Sequence, residues 1–413
     1  MSELPSRITE IPTKSPLSSK EMQSAAQGEP PSLLKRLVFI LMFIMIVFAM
    51  LALTPRLAKD IAYAWNVGVE RAKAEVAQKF LADHPLAVSE QRIAWVAKAV
   101  APGVVGVYTI VSRPSEERGR GGPDTLEPGM GSGVIMDAQG YVLTNFHVIE
   151  NAHLILVRLS DGREIEASIV GRDRFVDLAV LRIDLDDLES VQWGDSRQVA
   201  VGEQVIAIGS PFNLQQTVTS GIISATERMS PTLSLMGSRR GRRWNPQEYL
   251  QTDAAINPGN SGGALVDMNG RLIGINTFIY SAQSGGNTGI GFAIPSFVAK
   301  QIYDEIVSHG AVKHGWLGVD LGQVTAFHAQ QMNQKKPAGA VVVRARTRSP
   351  ARESGIQDGD IILRWGEIEI TDPLHLSHVI LLAKPGTKET VEIFRDGELL
   401  TLDVTVGVRP TDL

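Results

Sequence analysis

From about Ala94 to Pro295 the chain is written as short runs of β-branched and aliphatic residues separated by turn signals. Gln139-Gly140, Asp161-Gly162 and Asn269-Gly270 each lie between two apolar stretches. Glycine there supplies the positive φ that a tight hairpin needs. No long helical segments alternate with these runs, so the pattern excludes a doubly wound parallel sheet and predicts an antiparallel barrel or sandwich. The glycine-rich stretch Gly129-Met130-Gly131-Ser132-Gly133 does not change this. It leads into Val134-Ile135-Met136, a strand pattern, and lacks the following helix N-terminus that would hold a phosphate.

Within that frame stand Thr144-Asn145-Phe146-His147, Asp177-Leu178-Ala179 and Gly259-Asn260-Ser261-Gly262-Gly263. Histidine, aspartate and serine follow one another in the order of a chymotrypsin-type triad. A serine hydroxyl is a weak nucleophile by itself, so acyl transfer needs a base beside it, a carboxylate behind the base, and N–H donors for the developing oxyanion. Ser261 is the candidate nucleophile, His147 the base that takes and returns its proton, and Asp177 the group that fixes the imidazole tautomer. Gly259 and Ser261 offer the oxyanion N–H groups, with Asn260 between them in the same loop. Each motif alone is what an ordinary turn or strand end also shows; the three in this order, with Ala264-Leu265-Val266 following the serine loop, carry the assignment.

The 413 residues exceed one typical domain, and 44% hydrophobic content supports two folded domains with attachments. A net charge of -5 gives no support to nucleic-acid binding, and the absence of cysteine excludes disulfides and thiolate chemistry. Residues 1–32 are rich in Pro, Ser, Lys and Glu and are expected to form a disordered tail. Residues 33–54 are expected to be a transmembrane anchor. Leu37 to Leu53 is uncharged and, as a helix, reaches roughly 25 Å, which flanking Lys35, Arg36 and Arg56 extend by snorkelling. A cleaved signal peptide is the competing reading, against which stand the length of the run and the missing cleavage site. Flanking positive charges do not decide the orientation. Residues 55–92 read as a helical stalk, with Ile61, Trp65, Val69, Ala72, Val76 and Phe80 along one face. That stripe either packs on copies of itself or rests on its own domain.

The segment 93–300 resembles the protease domain of the HtrA (Deg) family. The resemblance is carried by Gly131-Ser132-Gly133-Val134-Ile135, Thr144-Asn145-Phe146-His147-Val148, Asp177-Leu178-Ala179-Val180-Leu181, the run Gln251 to Gly263, and Gly289-Ile290-Gly291-Phe292-Ala293-Ile294-Pro295. It implies a trypsin-like pair of six-stranded β-barrels with the triad in the cleft between them, and endoproteolysis without ATP or any cofactor. By position, Ile256, Ile279 and Tyr280 match residues lining the S1 pocket. An apolar lining predicts cleavage after Val, Ile or Ala, because burying a charged P1 side chain without a partner is costly. Arg228 matches the arginine that relays loop position to the oxyanion hole in relatives. Between it and the serine, Arg239, Arg240, Arg242 and Arg243 occupy a surplus segment that is either a regulatory loop or a solvated insertion.

Residues 313–408 resemble one PDZ domain (α+β), through Trp316-Leu317-Gly318-Val319, Gly339 to Val343, Ser349-Pro350-Ala351 and Asp358-Gly359-Asp360-Ile361-Ile362. PDZ domains add a peptide C-terminus as a strand and hold its carboxylate on loop N–H groups. Trp316, Leu317, Gly318 and Val319 would form that loop, with Lys313 or His314 assisting by charge, and Asp372 to Ala383 would be the helix closing the groove. His375 and His378 have a spacing that zinc sites use, but no further ligands cluster near them, so they read as groove-edge residues and no metal is expected. Anchor, protease and single PDZ domain together look most like the DegS branch. That implies an inner-membrane, single-pass trimer with periplasmic domains, acting in quality control or stress signalling, with polypeptide substrates and C-termini of misfolded proteins as partners. The alternative is a proteolytically weak, membrane-tethered chaperone or PDZ scaffold.

Overall fold

The computed structural model describes residues 41–45, 61, 65, 68–69, 71–80, 89–113, 125–210, 216–229, 248–257, 259–279 and 289–410. The expected tail 1–32, most of the expected anchor, Tyr280 and the four arginines at 239–243 lie outside them. The chain divides into two units, Met1–Ala64 and Trp65–Leu413. In the first, residues 41–45 are helical and exposed. Among the described residues no helix is long and apolar enough to cross a membrane.

The second unit opens with helical residues 71–80, where Ala74 and Ala77 are buried while Val76 is exposed. Arg71 ion-pairs with Asp187 at 2.7 Å and Glu189 at 3.2 Å, and Phe80 stacks on Trp95 at 4.6 Å. The buried face here is therefore small residues plus one arginine clamp. Of the apolar stripe read from the sequence, Ile61, Trp65 and Val76 are exposed in the single chain. Helix α1 (Ser89–Val100) spans the boundary drawn at residue 93 and buries Val96 and Val100.

Twelve strands then close into two barrels. The first holds β1 (Val104–Arg113), β2 (Thr125–Ile135), β3 (Tyr141–Thr144), β4 (Ala152–Arg158), β5 (Glu164–Asp173) and β6 (Leu178–Ile183), in the order β1-β2-β3-β6-β5-β4. The second holds β7 (Gln204–Gly209), β8 (Thr217–Met229), β9 (Glu248–Thr252), β10 (Ala264–Asp267), β11 (Leu272–Ile279) and β12 (Gly291–Pro295), in the order β10-β11-β12-β9-β8-β7.

The period of two along each strand explains the continuous apolar runs. In β6, Ala179, Leu181 and Ile183 fill the first barrel, while Leu178 and Val180 join a separate core. In β7, Val205 and Ala207 fill the second barrel, while Ile206 and Ile208 join that same separate core. That shared core also takes Val96 and Val100 of α1, and Val298, Ala299, Ile302 and Ile306 of a helix after β12. Strands buried on both faces need no polar alternation. Each fully buried Val, Leu or Ile contributes about 1.5–3 kcal/mol, so this layer locks the barrels together.

A short helix, α2 (Phe146–Ile149), follows β3, and helix α3 (Ser296–His309) follows β12 and ends on Gly310 at φ 75. The remaining chain forms β13 (Gly315–Trp316), β14 (Val319–Gln323), β15 (Ala340–Ala345), β16 (Ile361–Trp365), β17 (Ile368–Glu369), helix α4 (Pro373–Leu382), β18 (Lys388–Arg395), β19 (Glu398–Thr405) and β20 (Gly407–Val408). The sheet order is β14-β15-β16-β18-β19, so β14 is an edge strand, and β13 pairs separately with β20.

Candidate active site

Asn145 is the N-cap of α2, which carries His147, and Asp177 sits in the turn between β5 and β6. The Asp177 backbone is left-handed, φ 60, a conformation costing an L-residue roughly 1–2 kcal/mol. Its carbonyl accepts from Phe146 N at 3.1 Å and from Asn145 Nδ2 at 2.9 Å, which holds the strained turn against the histidine loop. The carboxylate completes the junction: Oδ1 accepts from His147 N at 2.9 Å, and Oδ2 accepts from His147 Nδ1 at 2.7 Å and from Thr277 Oγ1 at 3.0 Å. With Nδ1 donating to the carboxylate, Nε2 is the nitrogen left to act as a base. Beneath lies Tyr249, its phenol pushed well up by burial and then by the negative charge of Asp177.

The Ser261 loop is built by backbone that only glycine allows. Gly259 has φ 100 and Gly262 φ 83, and a Cβ on Gly262 would collide with the Ser132 carbonyl and the Thr144 hydroxyl. Gly262 N donates to Asn276 O at 2.7 Å and Asn276 N to Gly263 O at 2.9 Å, pinning the loop to β11. Ser261 Oγ donates to the carbonyl of Thr277 at 2.9 Å. Thr277 therefore joins the parts: its hydroxyl is on the carboxylate that holds His147, and its carbonyl is on the Ser261 hydroxyl. Among the described residues, no acceptor takes the amide N–H of Gly259 or Ser261, as an oxyanion site requires.

Ser132, read from the sequence only as part of a glycine-rich stretch, ties the barrels together at this point. Its N–H donates to Ser261 O at 2.7 Å and its hydroxyl to Gly259 O at 2.6 Å, while its carbonyl accepts from Thr144 Oγ1 at 2.7 Å and its Oγ from Ser210 N at 2.8 Å. It is fully buried. Flanking glycines were the available signal: they let β2 approach the serine loop closely enough for backbone-to-backbone bonding.

Ile256 is buried, and Gly291 lies so close that a Cβ there would stand 2.6 Å from Ile256 Cγ1. Ile279 ends β11 in register with Gly291, and Arg228 lies in β8 opposite Tyr249. In the C-terminal domain Trp316 pairs with Gly407, Leu317 is buried, Gly318 has φ 79, and Val319 opens β14. Leu317 O accepts from Ala351 N at 3.0 Å and Gly318 O from Arg346 N at 2.8 Å, so the loop's carbonyls are turned into the domain. Between the open edge of β14 and α4, the half-buried Val319, Leu321 and Val379 pack on the domain core.

Two histidines are not where the sequence suggested. His314 is buried against Asp173, Nε2 to Oδ2 2.7 Å, rather than charging the carboxylate loop. His378 is buried, with Nε2 3.6 Å from Glu248 of β9, rather than at the groove edge. Both had been read on one domain alone, and both face the barrels. Among the described residues no cluster of His, Asp or Glu could hold a metal ion.

Residues 131–275 match the family described as trypsin-like peptidase domain, and residues 315–406 match the PDZ domain family. A solved structure described as HtrA-type protease AlgW with tripeptide is 42% identical, with a TM-score of 0.66 over 77% of this chain and 97% of that one. This chain belongs to the HtrA-type serine protease family. A second solved HtrA-type protease, AlgW with decapeptide, is 41% identical over 77% of this chain and 99% of that one, at a TM-score of 0.63. The probable periplasmic serine endoprotease DegP-like of Pseudomonas fulva is 42% identical over 294 residues, covering 71% of this chain and 59% of that protein. The chain thus spans about three fifths of the length of the curated relatives it matches. The HtrA-type architecture, a trypsin-like double barrel followed by a PDZ domain, accounts for both groups of strands described above.

Proposed function

We propose that this chain is a serine endopeptidase whose cutting is gated by peptide C-termini bound at its PDZ domain. Ser261 attacks the scissile carbonyl while His147 Nε2 takes the hydroxyl proton and returns it to the leaving amine. Asp177 holds the imidazole by Nδ1 and stabilises the imidazolium as it forms, and the N–H groups of Gly259 and Ser261, with Asn260 shaping the loop between them, receive the oxyanion. Thr277 is the observation that carries this reading, since it touches both the carboxylate of the Asp177–His147 pair and the Ser261 hydroxyl. Because that hydroxyl points to Thr277 O, attack requires it to turn its proton to His147.

The buried Ile256 supports an apolar S1 pocket, completed by Ile279 and Tyr280, and cleavage after Val, Ile or Ala. Arg228 relays the position of the loop after β8 to the oxyanion site. Trp316 to Val319 receive a peptide carboxylate, and the open edge of β14 accepts the peptide as a strand, as the peptide named with the AlgW structures favours. Residues 37–53 anchor the chain in the inner membrane with the protease in the periplasm, the compartment named for the DegP-like relatives, and the exposed Ile61, Trp65 and Val76 serve a homotrimer. Such an enzyme would act in envelope quality control or stress signalling.

The test is cleavage of casein and a peptide library by the full-length protein beside Ser261→Ala, with and without peptides ending in apolar residues. Activity that is lost in Ser261→Ala, raised by peptide and directed to aliphatic P1 residues is the expected outcome. Peptide binding without cleavage under any condition would instead establish the scaffold or chaperone.

A further inference from the structure

Four residues before the candidate catalytic aspartate stands a buried carboxylate that the reaction itself does not use. Asp173 ends β5 and is 3% exposed, and His314, at the start of the PDZ domain, is 5% exposed. The two oxygens of Asp173 face different domains. Oδ1 accepts from Phe175 N at 2.8 Å and Val176 N at 3.3 Å, so it builds the turn that delivers Asp177. Oδ2 contacts His314 Nε2 at 2.7 Å.

The PDZ side grips the same turn through His314 and Arg409, and α4 braces His314. The second ring nitrogen of His314, Nδ1, lies 3.2 Å from the carbonyl of Leu381 in the last turn of α4, the helix beside the groove. The carbonyl of His314 accepts from Arg409 N at 2.9 Å, just past β20. Phe175, inside the turn, meets the His314 ring edge-on at 5.3 Å and carries the Arg409 guanidinium at 4.6 Å and the Arg174 guanidinium at 4.9 Å. His314 thus lies between an oxygen of each domain: Asp173 Oδ2 at ion-pair distance but without hydrogen-bond alignment, and Leu381 O.

We infer that Asp173 is a positioning residue and His314 a latch, through which the placement of α4 sets the turn that holds Asp177. The inference rests on the gating reading above and gives it a route. A peptide seated between β14 and α4 bears on α4; α4 bears on His314 through Leu381 O, and His314 on Asp173. Asp173 then sets a five-residue turn whose last member is left-handed and held by the histidine loop. A side chain held off-centre at the reacting groups lowers turnover rather than affinity, because the substrate still binds.

The experiment uses the full-length protein, casein and a chromogenic peptide as substrates, and a decapeptide with an apolar C-terminus as groove ligand. His314→Gln and Asp173→Asn are each expected to lower kcat and to cut the ratio of peptide-stimulated to basal kcat by about fivefold, with KM and the decapeptide Kd held within about twofold. The double variant is expected to lose no more than either single one, since both break one contact. Phe175→Leu loosens the same grip without removing a charge and replaces Asp173→Asn if that variant does not fold. Unchanged kcat and stimulation in His314→Gln overturns the latch. A wild-type protein that cleaves equally with and without decapeptide overturns the gating reading, and the latch is then judged on basal kcat: a fall in His314→Gln sustains it, and no change removes it.

Discussion

Ser132 holds the candidate nucleophile loop from a fully buried position. Its hydroxyl donates to Gly259 O, two residues before the nucleophile, and its N–H to Ser261 O. Ser132→Ala removes the first bond and keeps the second, leaving the Gly259 carbonyl buried without that donor. We expect about 1 kcal/mol of lost stability in urea unfolding and a fall in kcat of about tenfold, equivalent to about 1.4 kcal/mol in the barrier, with KM little changed. Full turnover in a folded variant would mean the loop holds its shape by glycine geometry alone. Asp177→Asn is expected to keep the fold but lower kcat by about four orders of magnitude, because an amide can donate to Nδ1 and stabilise the wrong tautomer. The candidate triad could be read from the sequence because chemistry restricts such residues to few types in one order. Asp173 and His314 could not, because a buried pair 141 positions apart in numbering (314 − 173) leaves no local pattern.

At the scale of elements, strands and turns were legible wherever a glycine ends an apolar run, as at Gly140, Gly162 and Gly270, all with positive φ. What the runs could not convey was which parity faces which core, since β6 and β7 are apolar on both faces. The proposed peptide groove tests the same logic on β14. Gly318 takes φ 79, and a Cβ there would run into the Ser349 side chain. Gly318→Val is therefore expected to abolish decapeptide binding by fluorescence anisotropy while leaving casein cleavage without peptide measurable; tight binding in this variant would place the carboxylate elsewhere. The strand also has an acid-sensitive brace. Arg346 and then Arg344 hold the Asp320 carboxyl below the usual carboxylate range, across the β14–β15 pair. A lowered carboxylate pKa contributes stability above the unfolded value and loses it as pH falls through the folded one. PDZ stability should thus drop below about pH 4, by a small amount at low salt and less at high salt, since the pair is partly exposed.

At the scale of the molecule, Trp65–Leu413 is a compact unit closed at its N-terminal side by the Arg71 ion pairs and the Phe80–Trp95 stack. A chain starting at Trp65 is expected to cleave casein with the kcat/KM of the full-length protein, yet to move from the membrane pellet to the soluble fraction on cell fractionation. A truncated chain that still sediments with membranes would remove the anchor from residues 37–53. The composition of that segment supports the proposed anchor, whereas the faces of the helix that follows were not legible: packing buries Ala74 and Ala77, the smaller residues, and leaves Trp65 exposed.

The pairing of β13 with β20 has a mechanical meaning. The first and last strands of the PDZ domain run side by side as a two-stranded ribbon, with Gly315 opposite Val408 and Trp316 opposite Gly407. The domain is therefore fastened where it begins: its last strand clasps its first, next to the His314–Asp173 contact with the barrels, so its two ends cannot part without breaking that clasp.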